Sequence, residues 1–253
     1  MFDFATFLAR VPEQTVLCIG DLMLDDFVYG EVSRISPEAP VPVIAVKREE
    51  KLIGGAGNVA CNVAGLGARC IFLGVVGEDE AGQILRAAFD RHAGLIEANL
   101  AVAPGRPTVR KLRFVSEHYS SHLLRADWEV AAPVPAEVES ALIERMQAAL
   151  PRAHAVVLSD YAKGTLTPRL IRVTIEGARR LGKVVVVDPK GLDFSIYRGA
   201  TLITPNRKEL GEASHRPVRD LAELDAAAAE LQRTVESDAV LVTLSEDGML
   251  LKI

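Results

Sequence analysis

Short apolar runs of strand-forming residues alternate with longer amphipathic stretches along most of this 253-residue chain. The β-rich runs are Thr15–Gly20, Cys70–Val76, Ala155–Ser159, Lys183–Val187, Thr201–Thr204 and Ala239–Thr243. Several are almost continuously apolar, the pattern of strands buried on both faces of a parallel sheet. Helical periodicity falls between them, at Asn58–Leu66, Glu80–His92, Ala136–Leu150, Pro168–Leu181 and Val218–Val235. This alternation predicts an α/β fold with a doubly wound, mainly parallel sheet flanked by helices. The length suits one such domain over residues 1–253.

Two segments break the rhythm. Residues 27–51 read as extended, because Pro37, Pro40 and Pro42 forbid a helix and Val41–Val46 alternates in strand fashion. Residues 108–127 also read as strands, with basic residues at alternating positions. Together they predict a small β layer over one end of the main sheet.

Composition narrows the functional classes. The net charge of −5 gives no broad basic surface, which argues against a nucleic-acid partner. No apolar run approaches the roughly 20 residues of a membrane helix, and the N-terminus lacks a signal-peptide pattern. Cys18, Cys61 and Cys70 stand singly in apolar surroundings, which predicts free thiols and a reducing cytoplasm. The five histidines form no metal-binding pattern.

Candidate site residues gather where strands end. Gly54-Gly55-Ala56-Gly57-Asn58 opens a helical pattern, so its glycines would let a polar ligand approach the backbone at a helix N-terminus. A tight turn needing positive φ is the plain alternative. After the first strand come Asp21, Asp25 and Asp26, of which Asp25 is the choice for ligand hydroxyls; capping a turn is the alternative. Arg110, Lys111, Arg113 and Arg125 form a basic set suited to phosphate, with Lys111 and Arg113 on one strand face. A solvated strand face explains these residues equally well.

Three later strands end in polar motifs: Ser159-Asp160-Tyr161-Ala162-Lys163-Gly164, Asp188-Pro189-Lys190-Gly191 and Thr204-Pro205-Asn206-Arg207-Lys208-Glu209. Any one could be turn chemistry, whereas three together predict a cleft. Asn206 and Glu209, three apart at a helix start, could serve a hydrated Mg²⁺. There is no Walker-type G-x-x-x-x-G-K-[ST]. Gly55-Ala56-Gly57-Asn58-Val59-Ala60 fits G-x-G-x-x-A, with Glu78 and Asp79 about 20 residues on, so a dinucleotide-dependent oxidoreductase is the rival. Against it, residues 47–53 separate the apolar strand from the glycines.

Taken together these motifs resemble the ribokinase-like (PfkB) family of sugar kinases, whose N-terminal signature is similar to residues 54–67. More narrowly, residues 33–43 are similar to the lid of bacterial heptose-7-phosphate kinases, as are residues 158–164, 188–191 and 204–206. The resemblance implies transfer of the ATP γ-phosphate to O1 of D-glycero-D-manno-heptose 7-phosphate, with ATP and Mg²⁺ as cofactors and a homodimer formed through the lid. It implies that Asp25, Gly54, Gly55 and Asn58 hold the sugar, with Asp160 and Lys163 nearby, and that Lys111, Arg113 and Arg125 meet the distal phosphate. Lys190, Asn206, Glu209 and the turn carrying Thr243, Ser245 and Gly248 would lie toward ATP, with Asn206 and Glu209 arranging the metal through water.

The sequence departs from the family in two places. The family's Gly-Ala-Gly-Asp, whose aspartate is the base, does not occur before Leu250-Leu251-Lys252-Ile253. The expectation is therefore a kinase domain lacking its C-terminal part and inactive alone. Ser120-Ser121-His122 also stands where related kinases show a Gln-Gln pair, which bears on Arg125.

Overall fold

The computed structural model describes residues 3–92, 94–118 and 121–253. From the N-terminus come α1 (Phe4–Ala9), β1 (Thr15–Gly20), β2 (Leu22–Ile35), β3 (Pro42–Gly55), α2 (Ala56–Gly65), β4 (Arg69–Val76), α3 (Glu80–Asp90), β5 (Ile96–Val102), β6 (Val109–Ser116) and β7 (Ser121–Trp128). Then follow α4 (Ala136–Ala149), β8 (Ala155–Ser159), α5 (Pro168–Arg180), β9 (Val184–Asp188), β10 (Leu202–Ile203), α6 (Arg207–Ser214), α7 (Leu221–Val235), β11 (Ala239–Thr243) and β12 (Met249–Lys252).

Eight strands form the main sheet in the order β12-β11-β10-β9-β8-β1-β4-β5, parallel except for β12. The fold is α/β with helices on both faces of this sheet. On β1, Leu17 and Ile19 pack with Leu142, Met146 and Leu170, while Cys18 packs with Ala60, Leu85 and Phe89. A strand buried on both sides has no use for polar alternation, which is why Thr15–Gly20 reads as one apolar run. From β1 the chain moves out to β4 and β5, then returns to β8 and proceeds to β11. Strand order therefore reverses beside β1, and ligand crevices in such sheets open at the carboxyl ends of the strands there.

Both irregular segments enter one second sheet, of order β3-β2-β6-β7. Its first hairpin is longer than the expected 27–51: β2 starts at Leu22 and β3 ends at Gly55. Asp25 and Asp26 are consequently strand residues rather than loop acids. The second pair spans 109–128, close to the expected 108–127, with β6 parallel to β2.

Other boundaries also differ from expectation. The helix expected from Val218 begins at Leu221, because the Asp220 side chain caps it by accepting from Glu223 N at 2.9 Å. Asn206 and Glu209 start a separate helix, α6. β5 and β12 escaped the reading: β5 carries Glu97 and Asn99 and lacks clean alternation, and β12 has only four residues.

Candidate functional site

The three acids after β1 have different surroundings. Asp21 is buried, and its Oδ2 accepts from Tyr161 N at 2.9 Å and Lys163 N at 3.0 Å, its Oδ1 from Thr165 N at 3.0 Å. Its carboxylate shapes the loop after β8. Asp26 is buried on the opposite face of β2 from Asp25, and its Oδ2 accepts from Arg110 Nε at 3.0 Å and Nη2 at 2.6 Å. Arg110 lies 5.0 Å above the Trp128 ring. Asp25 lines an open cleft of about 390 Å³ with Phe27, Leu52, Asn58 and Cys61.

The glycines fit the plain reading offered by the sequence, a backbone that tolerates no side chain. Gly55 caps α2 at φ 59°, ψ −138°, a conformation essentially closed to other residues. Gly54 provides close approach: a Cβ there would lie 2.1 Å from Asp25 Oδ2. Both close β3, which runs antiparallel to β2. A dinucleotide turn joins a parallel strand directly to its helix, so the oxidoreductase reading fails on topology.

Of the basic set, Lys111, Arg113 and Arg125 lie on the lid face that carries Asp25, and Arg110 lies on the other face with Asp26. Asp25 is in register with Lys111 on the neighbouring strand, and Arg113 with Arg125 on the next. Arg113 Nη1 donates to Asp25 Oδ1 at 2.6 Å and to Lys111 O at 3.2 Å. Lys111 Nζ meets Asp127 at 3.2 Å and Glu129 at 3.1 Å. Arg125, the most exposed of the set, meets Asp127 at 2.9 Å. Lys163 Nζ reaches across from the β8 loop to Glu129 at 2.8 Å. Every cation expected at the distal phosphate is thus already paired, which neither composition nor motif conveys. The alternation of Arg125, Asp127 and Glu129 was the available signal. Of the Ser120-Ser121-His122 stretch, Ser120 lies outside the described residues.

A second cleft, of about 490 Å³, opens at the carboxyl ends of β8 to β11 and is lined by Asp160, Asp188, Lys190, Asn206, Glu209 and Thr243. Asp160 accepts from Tyr197 Oη at 2.7 Å and Ala162 N at 2.7 Å. Burial pushes its pKa up to about 6. Burial, then the Glu209 charge, raises Asp188 to about 6 as well. Lys190 Nζ donates to Glu209 Oε1 at 2.6 Å, which raises the lysine's pKa. Asn206 and Glu209 form a reciprocal capping box: Glu209 N donates to Asn206 Oδ1 at 2.9 Å, and Asn206 N to Glu209 Oε2 at 3.0 Å. Among the described residues no group of three or more His, Cys, Asp and Glu could hold a metal directly. Ser245 and Gly248 are not among the residues that line this cleft. At positive φ they shape the exposed turn into β12, and Leu244 N donates to Gly248 O at 2.9 Å.

The description "pfkB family carbohydrate kinase" matches residues 13–253. The chain belongs to the pfkB carbohydrate kinase family. It is 60% identical over 251 residues to the bifunctional protein HldE of Nitrobacter hamburgensis, covering 99% of this chain and 51% of that protein. To the HldE of Rhodopseudomonas palustris strain BisA53 it is 58% identical over 253 residues, covering 100% and 51%. The chain spans about half the length of these curated relatives. Among solved structures, phosphofructokinase-2 from Escherichia coli in complex with fructose-6-phosphate superposes with a TM-score of 0.72 at 20% identity, covering 94% of this chain and 76% of that one. Arabidopsis thaliana ribokinase complexed with ribose and ATP gives 0.67 at 20% identity, covering 95% and 74%. These two share the fold of this pfkB chain. No helix among its described residues is long and apolar enough to cross a membrane.

Proposed function

We propose that this chain forms the sugar-binding and much of the nucleotide-binding part of a cytoplasmic kinase that transfers the ATP γ-phosphate to O1 of D-glycero-D-manno-heptose 7-phosphate. The observation that carries this reading is the pairing of near-60% identity to HldE proteins along the whole chain with a cleft lined by Asp25 and Asn58 and a second cleft at the carboxyl ends of β8 to β11. Their residues divide as a phosphorylated sugar and a nucleotide require. Asp25 and Asn58 offer acceptors and donors for hydroxyls, with Gly54 and Gly55 permitting close approach. Lys111, Arg113, Arg125 and Lys163 supply the charge for the distal phosphate, and Asp160 braces the loop that carries Lys163.

On the nucleotide side, Lys190 would meet phosphate oxygens while Thr243 lies at the cleft wall. Asp188 and the capping-box carboxylate of Glu209 would hold a hydrated Mg²⁺ with Asn206. A bound divalent ion supplies charge neutralisation at the phosphates. The protein's own part is positioning: α6 fixes Glu209 through its cap, and Glu209 fixes Lys190.

Proton removal from the attacking hydroxyl needs a base within hydrogen-bond reach. Within these 253 residues Gly55-Ala56-Gly57-Asn58 has the order of the family's motif but ends in an amide, which cannot take the proton. We therefore expect no turnover by this chain alone in a coupled assay of ADP release with heptose 7-phosphate. ADP release above background would place a base among residues 1–253. A kinase for another phosphorylated sugar is the second reading, and a preference for fructose 6-phosphate over the heptose would favour it.

A further inference from the structure

Glu129 holds two ammonium groups at once. Its Oε2 accepts from Lys111 Nζ at 3.1 Å and its Oε1 from Lys163 Nζ at 2.8 Å. One lysine belongs to lid strand β6 and the other to the loop after β8, so a single carboxylate ties the lid to the main sheet. Both lysine side chains are mostly withdrawn from solvent, at 15% and 18% exposure, unlike a solvated surface pair.

The backbone on both sides is fixed by Arg106. Its Nη1 donates to Ala132 O at 2.8 Å and its Nη2 to Val130 O at 2.7 Å, and Nη2 also donates to Lys163 O. One guanidinium therefore clamps the residue after Glu129 and the carbonyl of the lysine that Glu129 binds. The carboxylate sits between the two ammoniums because the fold puts it there.

Charge then becomes the question. On this face Lys111, Arg113, Arg125 and Lys163 meet Asp25, Asp127 and Glu129, leaving one surplus positive charge. A sugar phosphate brings roughly 1.5 to 2 negative charges at neutral pH. It cannot join all three carboxylates without leaving negative charge uncompensated in a half-buried site. Asp25 stands beside the hydroxyl-binding cleft, and Asp127 shares its contact with exposed Arg125. Asp127 sets its two oxygens on Lys111 and Arg125, both within the lid, whereas Glu129 sets its own on one cation of the lid and one of the loop after β8, as two oxygens of a phosphate lying between them would.

We propose that Glu129 is a placeholder for the distal phosphate of the substrate, occupying the Lys111–Lys163 position in the free protein and leaving it when a phosphorylated sugar enters. The proposal rests on the sugar-kinase reading above and names the residue that makes that site selective for a phosphate. A sugar without one has no means of displacing the carboxylate, so the cations stay engaged with it. A dianion with several oxygens outcompetes the single carboxylate, and the difference between the two is the selectivity.

The test uses the purified chain and Glu129→Gln, which keeps the shape and removes the charge. Inorganic phosphate is the first probe, titrated by ³¹P NMR. The variant is expected to bind it about tenfold more tightly than the parent chain. Phosphorylated sugars should gain by a similar factor, while their dephosphorylated parents bind unchanged. Lys163→Gln, in contrast, should lose most of the preference for phosphorylated over parent sugar. Phosphate binding by Glu129→Gln that is unchanged or weaker would overturn the proposal, since it would make Glu129 a strut for the lysines. Retained preference in Lys163→Gln would overturn it too. The heptose assignment is judged separately: tighter binding of fructose 6-phosphate would refute that substrate, and the inorganic-phosphate result would still decide the role of Glu129.

Discussion

The Asp21 carboxylate accepts from three backbone N–H groups of the 161–165 loop, whereas Asp25 meets one guanidinium at the rim of a cleft. Arg113→Gln should leave Asp25 without its cation and the phosphate face with one charge fewer. We expect about a tenfold or greater loss of affinity for a phosphorylated sugar by calorimetry, with about 1–2 kcal/mol lost from stability in urea. Asp188 behaves oppositely with respect to stability. Its pKa is raised to about 6 in the fold against an ordinary value of 3.8, so the folded state binds the proton more tightly than the unfolded chain. That contribution is complete below about pH 4 and is lost as pH rises through 6. Asp188→Asn removes the burden, and is expected to raise stability at pH 7.5 by on the order of 1 kcal/mol, with the gain vanishing near pH 4. Thermal melts of both proteins across that range check it; a gain independent of pH would contradict the assignment.

The lid hairpin and α2 meet at Gly55, where φ is 59° and a Cβ would come within 2.4 Å of Asp21 O. Gly55→Ala is therefore expected to destabilise the fold by about 2–4 kcal/mol and to weaken sugar binding beyond that, read from denaturant midpoints and titration. Elements of this kind were legible in different degrees. Buried parallel strands such as Thr15–Gly20 announce themselves because both faces are apolar, whereas Asp21, Asp25 and Asp26 all lie past that strand and only their partners in the fold tell them apart. The pairing state of Lys111 and Lys163 was not legible, because Glu129 lies 18 and 34 residues from them and only the β6–β7 register and the Arg106 clamp unite the three. Asn206 and Glu209 were legible as a helix start, yet the sequence could not say that their first partners are each other. Ser245 and Gly248 lie in the exposed turn before β12, a four-residue edge strand too short to read from its residues.

The outer lid exposes an apolar groove of about 380 Å³ lined by Val41, Pro42, Ile44, Phe114, Leu123 and Leu124, with Ile35 exposed on the same sheet. Exposed apolar patches of this kind mark interaction surfaces, and a second lid is the occupant that the family resemblance implies. Light scattering should give a dimer for the parent chain and a monomer for Leu124→Glu; a dimer that survives the substitution would remove the lid from the interface. At this scale the central claim is that the Asp25–Asn58 cleft and the cation face beside it form a site for a phosphorylated heptose. Calorimetric titration with D-glycero-D-manno-heptose 7-phosphate, beside fructose 6-phosphate and NAD, tests it most directly. The account predicts saturable one-site binding of the heptose phosphate, weaker binding of fructose 6-phosphate and none of NAD. A folded chain that prefers fructose 6-phosphate, or binds neither sugar phosphate, would contradict it.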